Sequence, residues 1–107
     1  MAFLNLNNLD ERELLPGFKV RFVHSDTMTL AYWTIDEGAE LPEHSHHHEQ
    51  VLAAVMEGEF EITVDGEAQI VRPGDVVVIP SNVVHSGRAL TNCKMQDVFQ
   101  PVREDYL

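Results

Sequence analysis

Apolar and polar residues alternate along most of the chain with the two-residue period of a half-buried strand. This pattern runs through residues 18–23, 59–64 and 93–99. Residues 27–35 are rich in β-branched and aromatic side chains, which are typical of strands. No long segment has the period of a helix, so the pattern predicts an all-β fold of many short strands.

Two short apolar runs, residues 51–56 and 76–79, lack this alternation and are predicted to be buried strands, the second of them fully buried. Between them, Asp65-Gly66 predicts a two-residue hairpin, because a type I′ turn needs positive φ at both positions. Arg72-Pro73-Gly74-Asp75 predicts another turn, since proline occupies a position that its fixed φ favours.

Many short antiparallel strands with turns between them are typical of a sandwich or a barrel. With 107 residues, the chain is long enough for one domain with a single core. Residues 17–107 are predicted to form this β-barrel domain. Residues 1–16 are predicted to be an amino-terminal arm that packs on a neighbouring element or a partner subunit. Within the arm, Leu9 to Leu15 is compatible with a short helical turn that ends at Pro16-Gly17.

The composition limits the classes of partner. Seven basic and 18 acidic residues give a net charge of −11, which argues against nucleic acid and anionic membranes. No apolar run is long enough to span a bilayer, and the first residues lack the basic start of a signal peptide. A single cysteine, Cys93, fits a cytoplasmic location and a role as a small strand residue. A homodimer is expected, because the arm carries apolar residues and open sheet edges invite pairing.

The run from His44 to Gln50 contains four of the six histidines in the chain. Alternate residues of an extended chain share one face, and here that face carries His44, His46, His48 and Gln50. Neutral imidazoles that converge with an amide or carboxylate oxygen form a site for a first-row transition metal. The alternative is a solvated histidine-rich loop without a ligand.

Residues 38–85 resemble the two sequence motifs of the cupin superfamily. The first motif is matched by Gly38, five residues, His44-Ser45-His46, then Gln50 and Gly58. The second is matched by Gly74, five residues, Pro80, one residue, Asn82, two residues and His85. The resemblance implies a single-domain double-stranded β-helix, also called a jelly-roll barrel. It also implies metal ligands at His44, His46, Gln50 and His85.

Two departures from the cupin pattern concern the metal site. Most cupins carry glutamate where this chain has Gln50, and a neutral amide holds a divalent ion less strongly. The alternative is that Glu49 is the ligand. The segment from Gln50 to Gly58 is also one residue longer than usual, and a β-bulge near Ala53-Ala54 would accommodate it. Nitrogen and amide-oxygen ligands suit zinc, nickel, iron, cobalt or manganese.

The carboxyl-terminal sequence from Asp97 to Leu107 and the histidine run are similar to those of the small pectin-degradation cupins. That family opens the ring of 4,5-unsaturated uronates to the linear keto form, which implies an anionic sugar as the small-molecule substrate. The resemblance implies catalytic roles for Asp97, Phe99 and Arg103. Asp97 would act as acid and base, Arg103 would pair with the substrate carboxylate, and Phe99 would contact the sugar ring.

Two other function classes remain open. Two or three histidines with open coordination positions also suit an iron-dependent dioxygenase, and the fold is also compatible with a non-catalytic cupin that binds a sugar or metabolite. Among neighbouring residues, His48 is expected to support the ligands rather than to join them, and His47 is expected at the surface. Trp33 and Tyr32 are expected in the core or an interface.

Overall fold

The computed structural model describes residues 2–107, which form ten strands and two short 3₁₀ helices. The strands are Arg12–Leu15 (β1), Phe18–His24 (β2), Thr29–Ile35 (β3), Glu40–His44 (β4), Glu49–Glu57 (β5), Phe60–Val64 (β6), Glu67–Val71 (β7), Val77–Ile79 (β8), His85–Ala89 (β9) and Cys93–Gln100 (β10). The 3₁₀ helices are Leu6–Asn8 and Glu104–Tyr106. Within residues 2–107, no helix has the length and apolar character needed to cross a membrane.

The strands form two antiparallel sheets that enclose one core. The larger sheet has the order β1-β2-β3-β10-β5-β8, and the smaller has the order β4-β9-β6-β7. The largest fully buried apolar side chains come from both sheets and include Ile35, Leu52, Phe60 and Ile79. The all-β prediction, with two sheets closing around a single core, is therefore confirmed.

Both predicted turns are present. Asp65 and Gly66 have φ values of 49° and 82°, which is the sign that a type I′ turn between β6 and β7 requires. In the second turn, the Asp75 N–H donates a hydrogen bond of 2.9 Å to the Arg72 carbonyl oxygen. The first hairpin sets the register between β6 and β7, in which Val64 lies opposite Glu67.

Two local predictions are wrong. The segment considered for a helical turn instead contains β1, which pairs with β2 because pairing satisfies its backbone groups, whereas so short a helix has little stability of its own. Residues 76–79 are not fully buried, since β8 lies at the edge of the larger sheet. Val76 and Val78 remain 60% and 59% exposed, while Ile79 points into the core.

The predicted β-bulge lies in β5, and a second bulge follows it. Along β10, Gln96 pairs with Ala54 and Asp97 pairs with Leu52, so Ala53 is the extra residue. Further along β5, Val55 pairs with Met95 and Glu57 pairs with Lys94, so Met56 is a second extra residue. Because the first bulge changes the alternation of β5, Leu52 and Val55 both point into the core although they are three residues apart.

Candidate metal centre and active site

A cavity of about 470 Å³ lies within the barrel, and its lining is mostly apolar. All seven residues predicted for the site border this cavity, and they are His44, His46, Gln50, His85, Asp97, Phe99 and Arg103. They come from β4, β5, β9, β10, the loop before β5 and the tail. Residues that are up to 59 positions apart in sequence therefore border one cavity.

The histidines meet through strand pairing and a loop. His44 ends β4 and lies opposite His85, which begins β9, so that their ring centroids are 4.2 Å apart. His46 follows in the bent segment between β4 and β5, and its ring centroid lies 5.0 Å from that of His85. The N–H of Asn82, a residue with φ of 65°, donates a 2.7 Å hydrogen bond to the His46 carbonyl oxygen. The single extended strand considered for this run is therefore not formed.

In each of the three histidines, Nδ1 lies within hydrogen-bond distance of a backbone carbonyl oxygen. The acceptors are Pro42 for His44 at 2.8 Å, His48 for His46 at 2.9 Å, and Val83 for His85 at 2.9 Å. Nδ1 therefore carries the hydrogen, and Nε2 presents a lone pair. One ring nitrogen from each lies within 4.8 Å of the others, and the buried His85 Nε2 has no hydrogen-bond partner among residues 2–107.

The amide of Gln50 is oriented by Asp97. Gln50 Nε2 donates a 3.0 Å hydrogen bond to Asp97 Oδ2, so Gln50 Oε1 points the other way and lies 3.1 Å from His46 Nε2. Because His46 carries its hydrogen on Nδ1, two lone-pair atoms face each other here, an arrangement that a cation stabilises. The three histidines and Gln50 thus fit a divalent metal ion. Glu49, the alternative ligand, is exposed.

Burial keeps these imidazoles in the form that binds metal. Desolvation lowers the pKa of His85 to about 4, although its hydrogen bond to Val83 acts in the opposite direction. The pKa of His46 is also lowered, again mainly by desolvation. Neutral imidazole is the ligand form, so the site requires little deprotonation at neutral pH.

Asp97 is a buried carboxyl group in which one oxygen accepts hydrogen bonds and the other accepts none from residues 2–107. Both Trp33 Nε1 and Gln50 Nε2 donate to Oδ2 at 3.0 Å. Oδ1 has no partner in the described part of the chain. Burial raises the pKa of Asp97 to about 7, while the two hydrogen bonds partly oppose this shift. At neutral pH this carboxyl group can therefore both accept and release a proton.

Arg103 enters the cavity from the carboxyl-terminal tail. Its guanidinium carbon lies 4.8 Å from the ring centroid of Phe99 and 4.2 Å from that of Tyr106. Asp105 accepts hydrogen bonds from Nε at 3.0 Å and Nη2 at 2.8 Å. The Arg103 N–H also donates to Thr29 Oγ1 at 2.9 Å, which attaches the tail to β3. The guanidinium thus borders the cavity while it is held by Asp105 and Tyr106.

The strand alternation correctly placed Met95, Asp97 and Phe99 on one inward face, and all are at least 95% buried. Trp33 and Tyr106 also border the cavity, and neither was predicted as a site residue from the sequence. Trp33 packs against the core, as expected, and its indole N–H in addition donates a hydrogen bond that orients Asp97. No local sequence pattern indicates the contact between Trp33 and Asp97. It arises because β3 pairs with β10, which brings Trp33 beside the inward face of β10.

Comparisons with known proteins agree with this architecture. Residues 31–99 match the cupin domain family. The chain is 30% identical over 97 residues to the pectin degradation protein KdgF of Dickeya dadantii (strain 3937), which covers 89% of this chain and 88% of that protein. It is also 36% identical to the L-ectoine synthase of Saccharophagus degradans (strain 2-40), over 64% of this chain and only 52% of that enzyme.

Solved structures give the same result. A crystal structure of an RmlC-like cupin from Shewanella frigidimarina NCIMB 400 has a TM-score of 0.93 and 30% identity, covering 100% of this chain and 96% of that one. The structure of KdgF from Halomonas sp. has a TM-score of 0.92 and 29% identity, covering 100% and 99%. Together with the histidine cluster inside a two-sheet barrel, these matches show that the chain belongs to the cupin family.

Proposed function

We propose that this protein is a metal-dependent enzyme of pectin breakdown that opens the ring of 4,5-unsaturated uronates to the linear keto form. The observation that carries the proposal is the buried Asp97, whose pKa is raised to about 7 and whose Oδ1 is free of partners within residues 2–107. It borders the same cavity as three convergent histidines and an arginine. The similarity to the pectin degradation protein KdgF supports the choice of substrate class.

The ring form of such a uronate is both a cyclic enol ether and a hemiacetal. Opening it removes the proton of the anomeric hydroxyl and breaks the bond between the anomeric carbon and the ring oxygen. The electron pair of that bond goes to the ring oxygen, which leaves an enolate. Protonation of this enolate at C4 gives the ketone. One proton is taken up and one is delivered, so a single acid–base group can serve both steps.

Asp97 suits this double role because of how its two oxygens are used. Oδ2 is held by Trp33 and Gln50, which leaves Oδ1 to take the anomeric proton and to return a proton to carbon. A group whose pKa is near 7 is effective in both directions at neutral pH. Burial supplies that pKa and also excludes water that would compete for the enolate.

Substrate binding would depend on Arg103 and Phe99. The buried guanidinium is the positive group beside the cavity in a protein whose net charge is −11, and an anionic sugar would share it with Asp105. Phe99 offers an apolar face beside it. A divalent ion held by His44, His46, Gln50 and His85 would supply Lewis acidity for the oxygens of the substrate.

The test is incubation of the protein with unsaturated galacturonate, following the loss of the enol-ether absorbance with and without a chelator. We expect turnover that chelation abolishes. Asp97→Asn should reduce kcat by about 10²–10⁴-fold, because a general acid–base group contributes roughly that factor. Arg103→Ala should mainly raise KM.

Asp26→Asn is the matched control, since this exposed aspartate lies in the turn between β2 and β3 and its replacement changes the charge equally. Parent rates in both Asp97→Asn and Arg103→Ala, with the fold intact, would refute the proposal. Oxygen uptake with iron would instead support a dioxygenase, and tight binding without turnover would support a binding protein.

A further inference from the structure

Two histidines of the run from His44 to Gln50 contact the tail rather than the three-histidine cluster. His48 Nε2 lies 2.9 Å from Glu104 Oε2, and His47 Nε2 lies 3.9 Å from Glu104 Oε1. One potential ligand atom from each of these three residues lies within 4.8 Å of the others. We propose that His47, His48 and Glu104 form a second metal site, which takes a divalent transition-metal ion such as zinc.

The spacing of the ligand atoms suits such an ion. Zinc binds imidazole nitrogen and carboxylate oxygen at about 2.0–2.2 Å, so atoms bound to one ion lie roughly 3–4 Å apart. The separations of 2.9 Å from His48 and 3.9 Å from His47 to the Glu104 carboxylate are close to that range. The side chains of His47 and Glu104 are each 61% exposed and can therefore rotate slightly to complete the geometry.

His48 provides the rigid part of the proposed site. Its side chain is only 6% exposed, and its Nδ1 has no hydrogen-bond partner among residues 2–107. Without a metal ion, the Glu104 carboxylate accepts the hydrogen of Nε2. Because no partner among residues 2–107 holds Nδ1, this hydrogen can move to Nδ1 when a cation binds, and Nε2 then presents its lone pair. The imidazole of His47 lies alongside, with ring centroids 3.9 Å apart.

Charge and access also favour a cation here. Glu104 supplies a negative ligand, and the net charge of −11 raises the local concentration of divalent ions. Two imidazoles and one carboxylate form a donor set that transition metals prefer over magnesium or calcium. The exposed side leaves room for water to complete the coordination.

A second ion would fasten the tail to the loop that carries the cavity ligands. Glu104 directly follows Arg103, which lines the cavity, and the His48 carbonyl accepts the hydrogen bond from His46 Nδ1. The ion would thus hold Arg103 and the metal-binding loop in one fixed arrangement. This role does not depend on which substrate the cavity accepts.

The experiment is a titration of the metal-free full-length chain with zinc, with the bound ions counted by equilibrium dialysis and calorimetry. We expect two ions per chain. Glu104→Gln and His47→Ala should each leave one, because the cavity ligands are untouched. Glu40→Gln, which removes the same charge from an exposed position on β4, should leave two.

A double variant, His44→Ala with His85→Ala, should lose the cavity ion and retain the second one. Its folding can be verified independently by circular dichroism. Saturation of the parent chain at one ion, or two ions retained in Glu104→Gln, would overturn the proposal. In that case the contact between His48 and Glu104 is a hydrogen bond alone.

Discussion

At the scale of single residues, Gln50 joins the two halves of the site. Its Oε1 faces His46 and its Nε2 holds Asp97 Oδ2, so one side chain contacts both the proposed metal ligands and the proposed acid–base group. A glutamate at this position would offer the metal a charge but would lose the donor to Asp97. The amide therefore exchanges some metal affinity for control of the neighbouring carboxyl group.

Gln50→Glu tests this link. We expect tighter zinc binding, because a carboxylate replaces a neutral ligand. We also expect turnover to be reduced at least tenfold, because the 3.0 Å hydrogen bond from Gln50 to Asp97 is replaced by a contact between two carboxyl groups. Calorimetry and the enol-ether assay measure the two effects. Gln69→Glu, at an exposed position on β7, makes the same chemical change and should alter neither. Unchanged turnover in Gln50→Glu would contradict the linking role.

Asp97 should make the stability of the metal-free protein depend on pH. Its pKa rises from 3.8 to about 7 on folding, so at intermediate pH the folded state holds a proton that the unfolded state has released. The stabilisation is fully present below the unfolded pKa and is lost as the pH rises through 7. We expect the difference in unfolding free energy between parent and Asp97→Asn to fall by about 2.5 kcal/mol from about pH 5 to about pH 8.

Denaturant unfolding of both proteins at the two pH values measures this difference. His85 and His46, whose pKa values are lowered, contribute with the opposite sign, since their stabilising effect is lost as the pH falls below 6.5. Both proteins contain these histidines, so their contribution cancels in the comparison. A difference that does not change with pH would show that Asp97 does not titrate in this range.

At the scale of elements, the bulged strand β5 decides which side chain enters the cavity. Ala53 is the extra residue opposite β10, and Gln50 lies inward while Glu49 lies outward. A shift of one residue reverses the faces of a strand. The extra residue in the spacing between Gln50 and Gly58 is therefore tolerated, because the bulge at Ala53 accommodates it after Gln50 and leaves the inward direction of Gln50 unchanged.

Two single-residue deletions in β5 should behave differently. Deleting Ala53 removes the bulge, restores regular alternation and should keep Gln50 inward, so zinc binding in the cavity should be preserved. Deleting Val51 shifts Gln50 outward and brings Glu49 inward, so the hydrogen bond to Asp97 and turnover should be lost. Zinc titration and the enol-ether assay distinguish the two variants. Equal behaviour would show that the bulge does not control the ligand face.

At the scale of the whole molecule, charge and exposed apolar surface act in opposite directions on self-association. Phe3 and Leu4 are 89% and 60% exposed on the amino-terminal side of β1, and Val76 and Val78 are exposed near the opposite edge of the larger sheet. A net charge of −11 repels a second copy. The predicted homodimer should therefore be stronger at high salt, where this repulsion is screened.

Sedimentation across a range of salt concentrations tests that expectation. We expect the 12.1 kDa chain to form a dimer that tightens with salt, and removal of residues 2–8 to weaken it by burying less apolar surface. Phe3→Ser with Leu4→Ser should act in the same direction without shortening the chain. A monomer at every salt concentration would contradict the homodimer prediction.

The sequence by itself determined the strand pattern, the turns and the set of residues that border the cavity. Alternation identifies an inward face such as that of Asp97 and Phe99, because period and burial are coupled within one strand. Turn chemistry is similarly local, as Asp65-Gly66 shows. The histidines were found through their clustering and their resemblance to two motifs, which together cover residues 38–85.

Only the tertiary structure decided how those residues act. The pKa of Asp97 depends on burial and on Trp33, which lies 64 positions away, and the tautomer of each histidine depends on a carbonyl placed by the fold. The exposure of β8 follows from its place at a sheet edge, which its apolar sequence does not reveal. Local patterns determine which face a side chain takes, whereas its charge state and partners depend on chain segments that only folding brings together.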